Sequence, residues 1–489
     1  MSSKETHTKK SLFKNYLFNL IKTLSGVLFP LVTFAYSSRI LGVDGVGQVN
    51  FAKSFITYFS MIAMLGINQY GTREAAKVRE DKEKLSKFTQ EILCINLITT
   101  ILAYILLFFV ISAVPTLKDY TILLLINSIS ILLSGMGMEW LYQALEEYSY
   151  IAVRAVMFQL LALILMLIFV RDRNDVASYA VVNVISTSGS LVINFFHARK
   201  HISLKRISRL EFRRHLAPML WLFAMAVSIE LYTVLDTTML GFFKGDTAVG
   251  LYTAAVKVNR IINTVITALG VVLIPRLSYY VGNNEKDKLR QLVKKGYNYV
   301  FLLSIPAALG LFILSDEIIR LFSGPEFAAA GFTMRIITPI VIFIPFSVMT
   351  NQQTLVPLGK EKLILISTGI GAITNIICNS IMIPIFAENG AAVGTIVAEG
   401  VVALVCLKNA SRFFNLKDIF KKYYQYWVSA IPIVIIGLIL EKMIGNYIIR
   451  TLTEVISSAL CYAVILYLFK NEYFMDVAGK IMGRLKIRL

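Results

Sequence analysis

Long apolar stretches recur along the whole chain and alternate with short polar connectors. A helix of about 20 apolar residues crosses roughly 30 Å of hydrocarbon, so each stretch is a candidate membrane span. Barrel strands instead alternate over about ten residues, and helices satisfy their own backbone hydrogen bonds in lipid. The pattern predicts about fourteen helical spans, at residues 14–41, 46–69, 88–112, 120–144, 151–170, 176–196, 216–241, 248–275, 296–315, 331–356, 363–386, 390–410, 424–445 and 449–469.

The composition agrees with an integral membrane protein. Of the 489 residues, 56% are hydrophobic, and the mean hydropathy is +0.68. This leaves too little polar surface for a soluble protein of this size. The first apolar stretch is long, follows a basic tail and lacks a small-residue cleavage site, so we expect it to remain as a span.

Basic residues are concentrated in every second connector. If the N-terminus is inside, the inner segments hold most of the 49 Lys and Arg residues. These segments are residues 4–10, 72–87, 197–215, 276–295, 408–422 and 480–489. Cytoplasmic loops of membrane proteins collect Lys and Arg, so we expect both termini in the cytoplasm. Topology and anionic lipid head groups account for the net charge of +19, and we expect no nucleic-acid partner.

Cysteine and histidine patterns do not indicate a metal or redox site. The cysteines fall in predicted spans without metal-ligand spacing, which favours structural packing; they are Cys94, Cys378, Cys406 and Cys461. Three histidines, His197, His201 and His215, lie in one basic inner loop. Without carboxylate support they are interpreted as interfacial residues.

Two stretches of the chain resemble each other. LGVDGVGQVNFAKS from residue 41 aligns with LGFFKGDTAVGLYTAAVKV from residue 240 through an initial Leu-Gly and a later Val-Gly. Each copy makes an outer turn and then begins a helix that carries a lysine, Lys53 or Lys257. In the first copy, glycines at 42, 45 and 47 permit a tight turn.

This repetition suggests two related halves, a common design among transporters. Six predicted spans precede the basic loop and six follow it. We therefore assign an N-terminal six-helix lobe to residues 1–210 and a C-terminal six-helix lobe to 211–415. Residues 416–489 hold two additional spans and a basic cytoplasmic tail.

Four patches together are similar to the polysaccharide flippases of the multidrug/oligosaccharidyl-lipid/polysaccharide exporter superfamily. They are EWLYQALEEYSYIAVR (139–154), LGVDGVGQVNFAKS, LVPLGKEK (355–362) and GAITNIICNSIMIPIFAENGAAVGTIVAE (371–399). The resemblance implies an all-α polytopic fold with two six-helix lobes around a central cavity that opens alternately to either side. It also implies a non-enzymatic flippase in the bacterial cytoplasmic membrane. The cargo would be undecaprenyl-diphosphate-linked oligosaccharide, and the partners membrane lipids and other polysaccharide-assembly proteins.

Such a cargo needs fixed cations, because its anionic head must be shielded from hydrocarbon. A cation at mid-membrane costs roughly 2.5–3.5 kcal/mol and usually faces a bundle interior or an aqueous cavity. The candidate diphosphate contacts are Lys22, Lys53, Lys257, Arg260 and Arg335, of which Lys53, Lys257 and Arg260 lie in the second helix of each half. The alternative for each is snorkelling to an interface or pairing with a structural carboxylate.

Acidic residues in the predicted spans raise the question of a coupling ion. The candidates are Glu139, Glu230, Asp236 and Glu399, and the alternative is an internal salt bridge with one of the cations. Resemblance to sodium-linked lipid II flippases implies a sodium site at Asp236, Asn375, Asn379 and Thr395. Oxygen ligands suit such a hard cation, although Asn379 stands where a carboxylate would strengthen the site. A proton is the other candidate coupling ion, and no further cofactor is expected.

The patch at 139–154 lies at the inner ends of the fourth and fifth predicted spans. Trp140 and Tyr142 fit an interfacial aromatic belt. The functional alternative is an inner gate made of Glu146, Glu147 and Arg154.

Two other functions compete with the flippase. A multidrug/cation antiporter of the same superfamily is disfavoured because cavity cations repel cationic drugs, and because that branch usually has twelve spans. A membrane glycosyltransferase or polymerase is disfavoured because the outer connectors are short and hold no cluster of catalytic carboxylates.

Overall fold

The computed structural model describes residues 2–203, 210–271 and 273–484. Across these ranges the chain is helical with short turns, and no strand occurs in them. Residues 204–209 of the basic inner loop and the last residues of the basic tail lie outside this description.

Nine α-helices occupy the described chain up to Lys244. They are α1 Ser2–Met64, α2 Ile67–Val78, α3 Lys82–Ala113, α4 Thr121–Met136, α5 Glu139–Ala144, α6 Tyr148–Phe169, α7 Val176–Val184, α8 Ser190–His197 and α9 Arg213–Lys244. Short 3₁₀ segments cover Pro115–Tyr120 and Ala198–Lys200, and a π-helix covers Ile185–Gly189.

Eleven more helices follow in the described chain. They are α10 Asp246–Val271, α11 Ile274–Gly282, α12 Lys286–Ile313, α13 Ser315–Ser323, α14 Ala330–Ile337, α15 Ile340–Val348, α16 Glu361–Ser411, α17 Leu416–Phe420, α18 Tyr423–Met443, α19 Tyr447–Leu468 and α20 Glu472–Arg484. A 3₁₀ segment covers Pro325–Phe327 and a π-helix covers Met349–Leu355.

The two longest helices are each broken once. In α1 the break is at Gly42, whose φ of 69° is readily adopted only without a Cβ atom. In α16 it is at Ala387, with a φ of 49°, an uncommon conformation for a residue with a side chain. A straight helix of 51 residues would be about 75 Å long, far more than one membrane crossing needs. Each of these helices therefore contributes two spans.

The span count confirms an all-α polytopic membrane protein. Within the described residues, nine helices are long and apolar enough to cross a membrane, or up to eleven if each bent pair counts as one span. Two of the nine, Leu28–Val78 and Glu361–Ser411, are 51 residues long and contain the breaks described above. When each broken helix is counted as two spans and each bent pair as one, these helices and α10 together provide a counterpart for every predicted span. Large apolar side chains are exposed along most spans, as a lipid-facing surface requires.

One span is bent at a proline. Ala330–Ile337 and Ile340–Leu355 meet at 43°, and Pro339 directly precedes the second helix. Proline lacks the N–H that would continue the helical ladder, which explains the bend. The π-helix Met349–Leu355 follows in the same span.

The chain divides into two compact units, Met1–Gly250 and Leu251–Leu489. The division falls within the first turns of α10. The lobe boundaries at 210 and 415 are drawn from sequence alone and stay a prediction.

The interpretation of Trp140 and Tyr142 as an interfacial aromatic belt is wrong. Trp140 is 2% exposed and Tyr142 is fully buried, both within an apolar core of the first unit. The Trp140 ring packs edge-on against Phe88 at 5.7 Å between centroids. The Tyr142 hydroxyl donates to the Asn194 carbonyl at 2.6 Å, so its polar end needs no contact with water.

Candidate functional site

A polar cavity of about 140 Å³ lies among the spans of the first unit. One cation and several hydroxyl and amide groups line it, and its described lining includes no carboxylate: Lys53, Ile56, Thr57, Ser60, Asn127, Ser130, Ser134, Asn183, Val184, Thr187 and Ser188. The Lys53 side chain is exposed. A polar cavity lowers the cost of a cation at membrane depth, which explains how this position accommodates a lysine.

Three helices supply the polar lining, each from one face. The second half of α1 presents Lys53, Thr57 and Ser60, which are four and then three residues apart. In α4, Asn127, Ser130 and Ser134 are three and then four residues apart. Residues at these separations lie on one side of a helix. The third group, Asn183, Thr187 and Ser188, spans the end of α7 and the π-helix Ile185–Gly189, a helix form that is often found at functional sites.

Several polar side chains around the cavity donate hydrogen bonds to backbone carbonyls nearby in the chain. Asn127 Nδ2 donates to the Leu123 carbonyl at 2.8 Å, and Asn183 Nδ2 donates to the Tyr179 carbonyl at 2.9 Å. The hydroxyls of Thr57, Ser130 and Thr187 also donate to backbone carbonyls of their own helices. Amide and hydroxyl oxygens keep further acceptor capacity. The cavity thus combines a lysine that can bind an anion with oxygens that can accept hydrogen bonds from sugar hydroxyls.

Lys22, Glu139 and Arg154 form an ion-pair network in the first unit. Lys22 Nζ pairs with Glu139 Oε1, and Arg154 Nη2 lies 3.4 Å from Glu139 Oε2. The Arg154 side chain is 4% exposed, and its guanidinium lies 5.5 Å from the ring centroid of Tyr150. This arrangement is the ion pairing named above as the alternative for Lys22 and Glu139. The proposed roles of these residues in cargo binding, coupling and gating stay predictions.

The other two residues of the predicted inner gate have different partners. Glu146 Oε1 accepts a hydrogen bond from Arg79 Nη1 at 2.6 Å. Glu147 Oε1 lies 3.2 Å from His201 Nε2. The gate itself stays a prediction.

The interpretation of the loop histidines as lacking carboxylate support is wrong. His201 lies beside Glu147, as just described. His215 is 2% exposed, and its Nε2 lies 2.9 Å from Glu91 Oε2 while its Nδ1 lies 2.8 Å from the Tyr70 hydroxyl. These carboxylates are far away in sequence, so only the packing of α3 and α6 against the loop brings them close.

The predicted cations of the second half have different surroundings. Lys257 is half-buried and Arg260 is exposed, three residues apart on α10. Arg335 Nη2 pairs with Asp316 Oδ2, and both side chains are partly exposed. Lys257 and Arg260 therefore share a helix face, whereas Arg335 belongs to an ion pair between α13 and α14.

The remaining predicted acidic residues are spread over two helices. Asp236 is 5% exposed in α9, and the nearby Thr238 hydroxyl lies 3.0 Å from those of Ser54 and Tyr58. Glu230 accepts a hydrogen bond from the Thr233 hydroxyl at 2.8 Å. Glu399 is 6% exposed in α16. Their participation in coupling stays a prediction.

Three of the four residues in the predicted sodium set lie on α16. Asn375 and Asn379 are fully buried, and Asn379 Nδ2 donates to Asn375 Oδ1 at 3.0 Å. The Thr395 hydroxyl lies 2.9 Å from that of Tyr252. Asp236, the fourth, belongs to the first unit. Two buried amides and a half-buried hydroxyl supply oxygens that fit the donor set of a hard cation, so the chemistry of these residues is compatible with the expectation.

The two outer turns of the sequence repeat pack against each other. A Cβ atom on Gly47 would lie 1.9 Å from the Asp246 carbonyl oxygen, and one on Gly250 would lie 2.2 Å from that of Val43. The Thr247 hydroxyl donates to Asp44 Oδ1 at 2.6 Å. Each copy thus places a glycine against the backbone of the other copy, which accounts for the Val-Gly match found in the sequence.

Sequence reasoning found Lys53 but missed the polar groups that surround it. The hydropathy pattern places five of these groups inside apolar spans: Asn127, Ser130, Ser134, Asn183 and Thr187. A signal was present, since polar residues recur on these spans at helical spacing. An amphipathicity search within each span would have found the stripes, but only their packing shows that three of them meet at one cavity.

Comparison with known proteins identifies the family. The family model described as "Polysaccharide biosynthesis protein" matches residues 12–281, more than half of the chain. A second model, described as MatE, matches residues 222–381.

Two curated relatives show how far the similarity extends. A Shigella dysenteriae protein whose name describes it as an O-antigen transporter is 25% identical over 402 residues, covering 81% of this chain and 99% of its own length. The lipid II flippase MurJ of Bacillus subtilis is 25% identical over 232 residues, covering 45% of this chain and 42% of its own length.

Solved structures share the fold. A lipid II flippase MurJ in an inward closed conformation superimposes with a TM-score of 0.76 at 16% identity, covering 94% of this chain and 99% of that one. A multidrug resistance MATE family transporter of the MOP superfamily, in an inward-facing conformation, gives a TM-score of 0.60 at 14% identity, covering 83% and 99%. These structures show the fold. The family model, which matches more than half of the chain, shows that the chain belongs to the polysaccharide biosynthesis protein family, in agreement with the resemblance to the polysaccharide flippases of the MOP exporter superfamily seen in the sequence.

Proposed function

We propose that this protein moves undecaprenyl-diphosphate-linked oligosaccharide from the inner to the outer leaflet of a bacterial cytoplasmic membrane by alternating access, for the synthesis of a cell-surface polysaccharide. The observation that carries the proposal is the cavity around Lys53, which combines one cation with hydroxyl and amide oxygens. An ammonium group attracts a phosphate as a point charge, and the oxygens accept hydrogen bonds from sugars. The volume fits part of a glycan head group rather than a whole oligosaccharide.

In this scheme Lys53 binds the diphosphate, and Lys257 and Arg260 contribute further cations. A head group with about two negative charges gains roughly 4–5 kcal/mol per 100 mV as it moves outward across an inside-negative membrane. Lys22 and Arg335, the other cations of the original set, each belong to an ion pair with a carboxylate.

Alternating access requires contacts that form and break on each side of the membrane. The packing of Gly47 and Gly250 against the opposite turn supports an outer closure of this kind. The membrane potential drives the cargo, and sodium bound by Asp236, Asn375, Asn379 and Thr395 is our proposed coupling ion, with a proton as the alternative. The basic inner segments support a cytoplasmic location for both termini.

A multidrug antiporter is the second candidate, since the MatE model matches residues 222–381. The basic cavity argues against it, because Lys53 repels a cationic drug. Relatives named as transporters and flippases leave an enzymatic role without support.

The deciding experiment is mass spectrometry of the lipids that co-purify with the protein from its native membrane. We expect a polyprenyl-diphosphate glycan with the unmodified protein and with Lys118→Ala, a lysine exposed outside the cavity, but not with Lys53→Ala. Retention of the glycan by Lys53→Ala would contradict the role of the cavity. Bulk phospholipid alone, together with ethidium efflux from expressing cells, would favour the antiporter.

A further inference from the structure

Two histidines and a glutamate meet in the first unit, apart from the Lys53 cavity. Glu147 is the residue before α6, His197 is the last residue of α8, and His201 follows the short 3₁₀ segment Ala198–Lys200. One ligand atom from each of the three lies within 4.8 Å of those of the other two. Neither the predicted cargo site nor the predicted sodium set uses these residues.

The nitrogen atoms in this cluster are poorly satisfied. His197 Nδ1 is buried and has no hydrogen-bond partner among the described residues. His201 Nε2 is also buried, and it lies 3.2 Å from Glu147 Oε1 without making a hydrogen bond in the described structure. A buried polar atom without a partner costs about 1–3 kcal/mol. An additional bound species would remove this cost.

Aromatic rings hold the histidines in place. The Tyr150 ring stacks on His197, with 4.4 Å between centroids and 17° between planes. Tyr142 lies 5.7 Å from His197 and 6.1 Å from His201, ring to ring. His197 and His201 are thus fixed side by side at 5.5 Å between centroids, so little side-chain entropy remains to be lost when a ligand binds.

We propose that Glu147, His197 and His201 form a binding site for a divalent transition metal of the zinc type. Two imidazoles and one carboxylate are a ligand set that zinc accepts, with water in the fourth position. Two described cations, Lys200 and Arg154, lie close enough to His197 to oppose metal binding, and the charge of Arg154 is compensated by Glu139. An alkaline-earth ion is a poor fit, because it prefers oxygen ligands alone.

A metal bound by Glu147, His197 and His201 would link two parts of the first unit that are distant in sequence. Glu147 belongs to the turn between α5 and α6, and the histidines belong to the end of α8 and the loop that leads towards α9. Coordination would fix these ends to each other and restrict any motion between them. Zinc would thereby act as an inhibitory or stabilising ligand, and this inference does not depend on the identity of the cargo.

The test is zinc binding to the full-length protein, purified through a tag without histidine and stripped with chelator. We expect isothermal titration with zinc chloride to show one high-affinity site per chain. Cobalt substitution should give a visible spectrum typical of nitrogen and oxygen ligands. His197→Gln, His201→Gln and Glu147→Gln should each weaken binding at least about tenfold, since even second-shell losses cost 10–100-fold.

Glu146→Gln is the matched control, because it removes the neighbouring carboxylate, whose partner is Arg79. It should bind zinc as the unmodified protein does. Monodisperse elution in detergent establishes that each variant is folded. The proposal is overturned if folded unmodified protein binds no zinc at micromolar concentration, or if all three ligand variants bind it unchanged. Retention of the glycan by Lys53→Ala, which would contradict the proposed function, would leave this result unaffected, so the two proposals fail independently.

Discussion

Lys22 and Lys53 both project from the first long helix, yet their charges are compensated in different ways. Lys22 pairs with Glu139, which also meets the buried Arg154. Lys53 lines a cavity whose described walls hold hydroxyls and amides. Both arrangements offset the cost of a cation at membrane depth. Lys53 borders open volume, so it is the one of the two lysines that we expect to contact a ligand.

The difference also separates stability from function. An ion pair that is partly buried leaves an uncompensated charge when one partner is removed, and the fold bears the cost. We expect a lysine that lines a polar cavity to contribute less to the stability of the fold. Variants at the two positions should therefore affect different measurements.

The largest expected effect is that of Lys53→Ala on cargo binding. Hydrogen bonds to charged groups contribute about 1.5–3 kcal/mol, which corresponds to a loss of roughly 10–150-fold in affinity for the diphosphate. Lys53→Arg should retain most of the binding, because the charge is kept. Titration of the purified protein with a polyprenyl-diphosphate analogue measures both. An unchanged affinity for Lys53→Ala would place the cargo elsewhere.

The next largest effect should be that of Glu139→Gln on stability. The change leaves Lys22 and Arg154 without their shared carboxylate. Breaking a fully buried pair costs about 3–5 kcal/mol, and partial exposure of Lys22 and Glu139 reduces our expectation to about 1–2 kcal/mol. Thermal unfolding in detergent measures the effect. An unfolding temperature equal to that of the unmodified protein would show that the network is unimportant.

Lys22→Met should have a smaller effect and should sharpen the contrast with Lys53. Arg154 remains to compensate Glu139, and methionine keeps the apolar part of the side chain, so we expect a loss below about 1 kcal/mol. Affinity for the diphosphate analogue should stay within a few-fold of the original value. A loss as large as that of Lys53→Ala would restore Lys22 to the group of cargo contacts.

The smallest effects should come from single polar residues around the cavity. Asn183→Ala removes one acceptor, and a neutral hydrogen bond contributes about 0.5–1.5 kcal/mol, or a few-fold to about tenfold in affinity. Asn50→Ala is a suitable comparison, since Asn50 makes the same type of bond to its own helix but does not line the cavity. Equal affinities for the two variants would argue against direct contact between Asn183 and the sugar.

The positions of the membrane spans could be predicted from sequence, because a helix in lipid must be apolar along most of its length. The repeat could be predicted because its two copies share short sequence matches. The turn at Gly42, with its positive φ, agreed with the expected break between the first two spans. Trp140 and Tyr142 were misassigned because an aromatic residue with a polar tip suits both a membrane interface and a buried core with one acceptor. His201 and Glu147 were missed as neighbours because they are far apart in the chain.

Hydropathy along the chain was sufficient to establish the helices and their approximate limits, since these depend on local composition. The likeness to polysaccharide flippases came instead from four short sequence patches. Packing alone settled that Lys53 lines one cavity with Asn127 and Asn183, whereas Lys22 pairs with Glu139. Each of these arrangements joins helices that are distant in sequence. The direction in which a side chain points depends on how its helix is rotated against its neighbours, and that rotation is a property of the whole bundle rather than of any one segment.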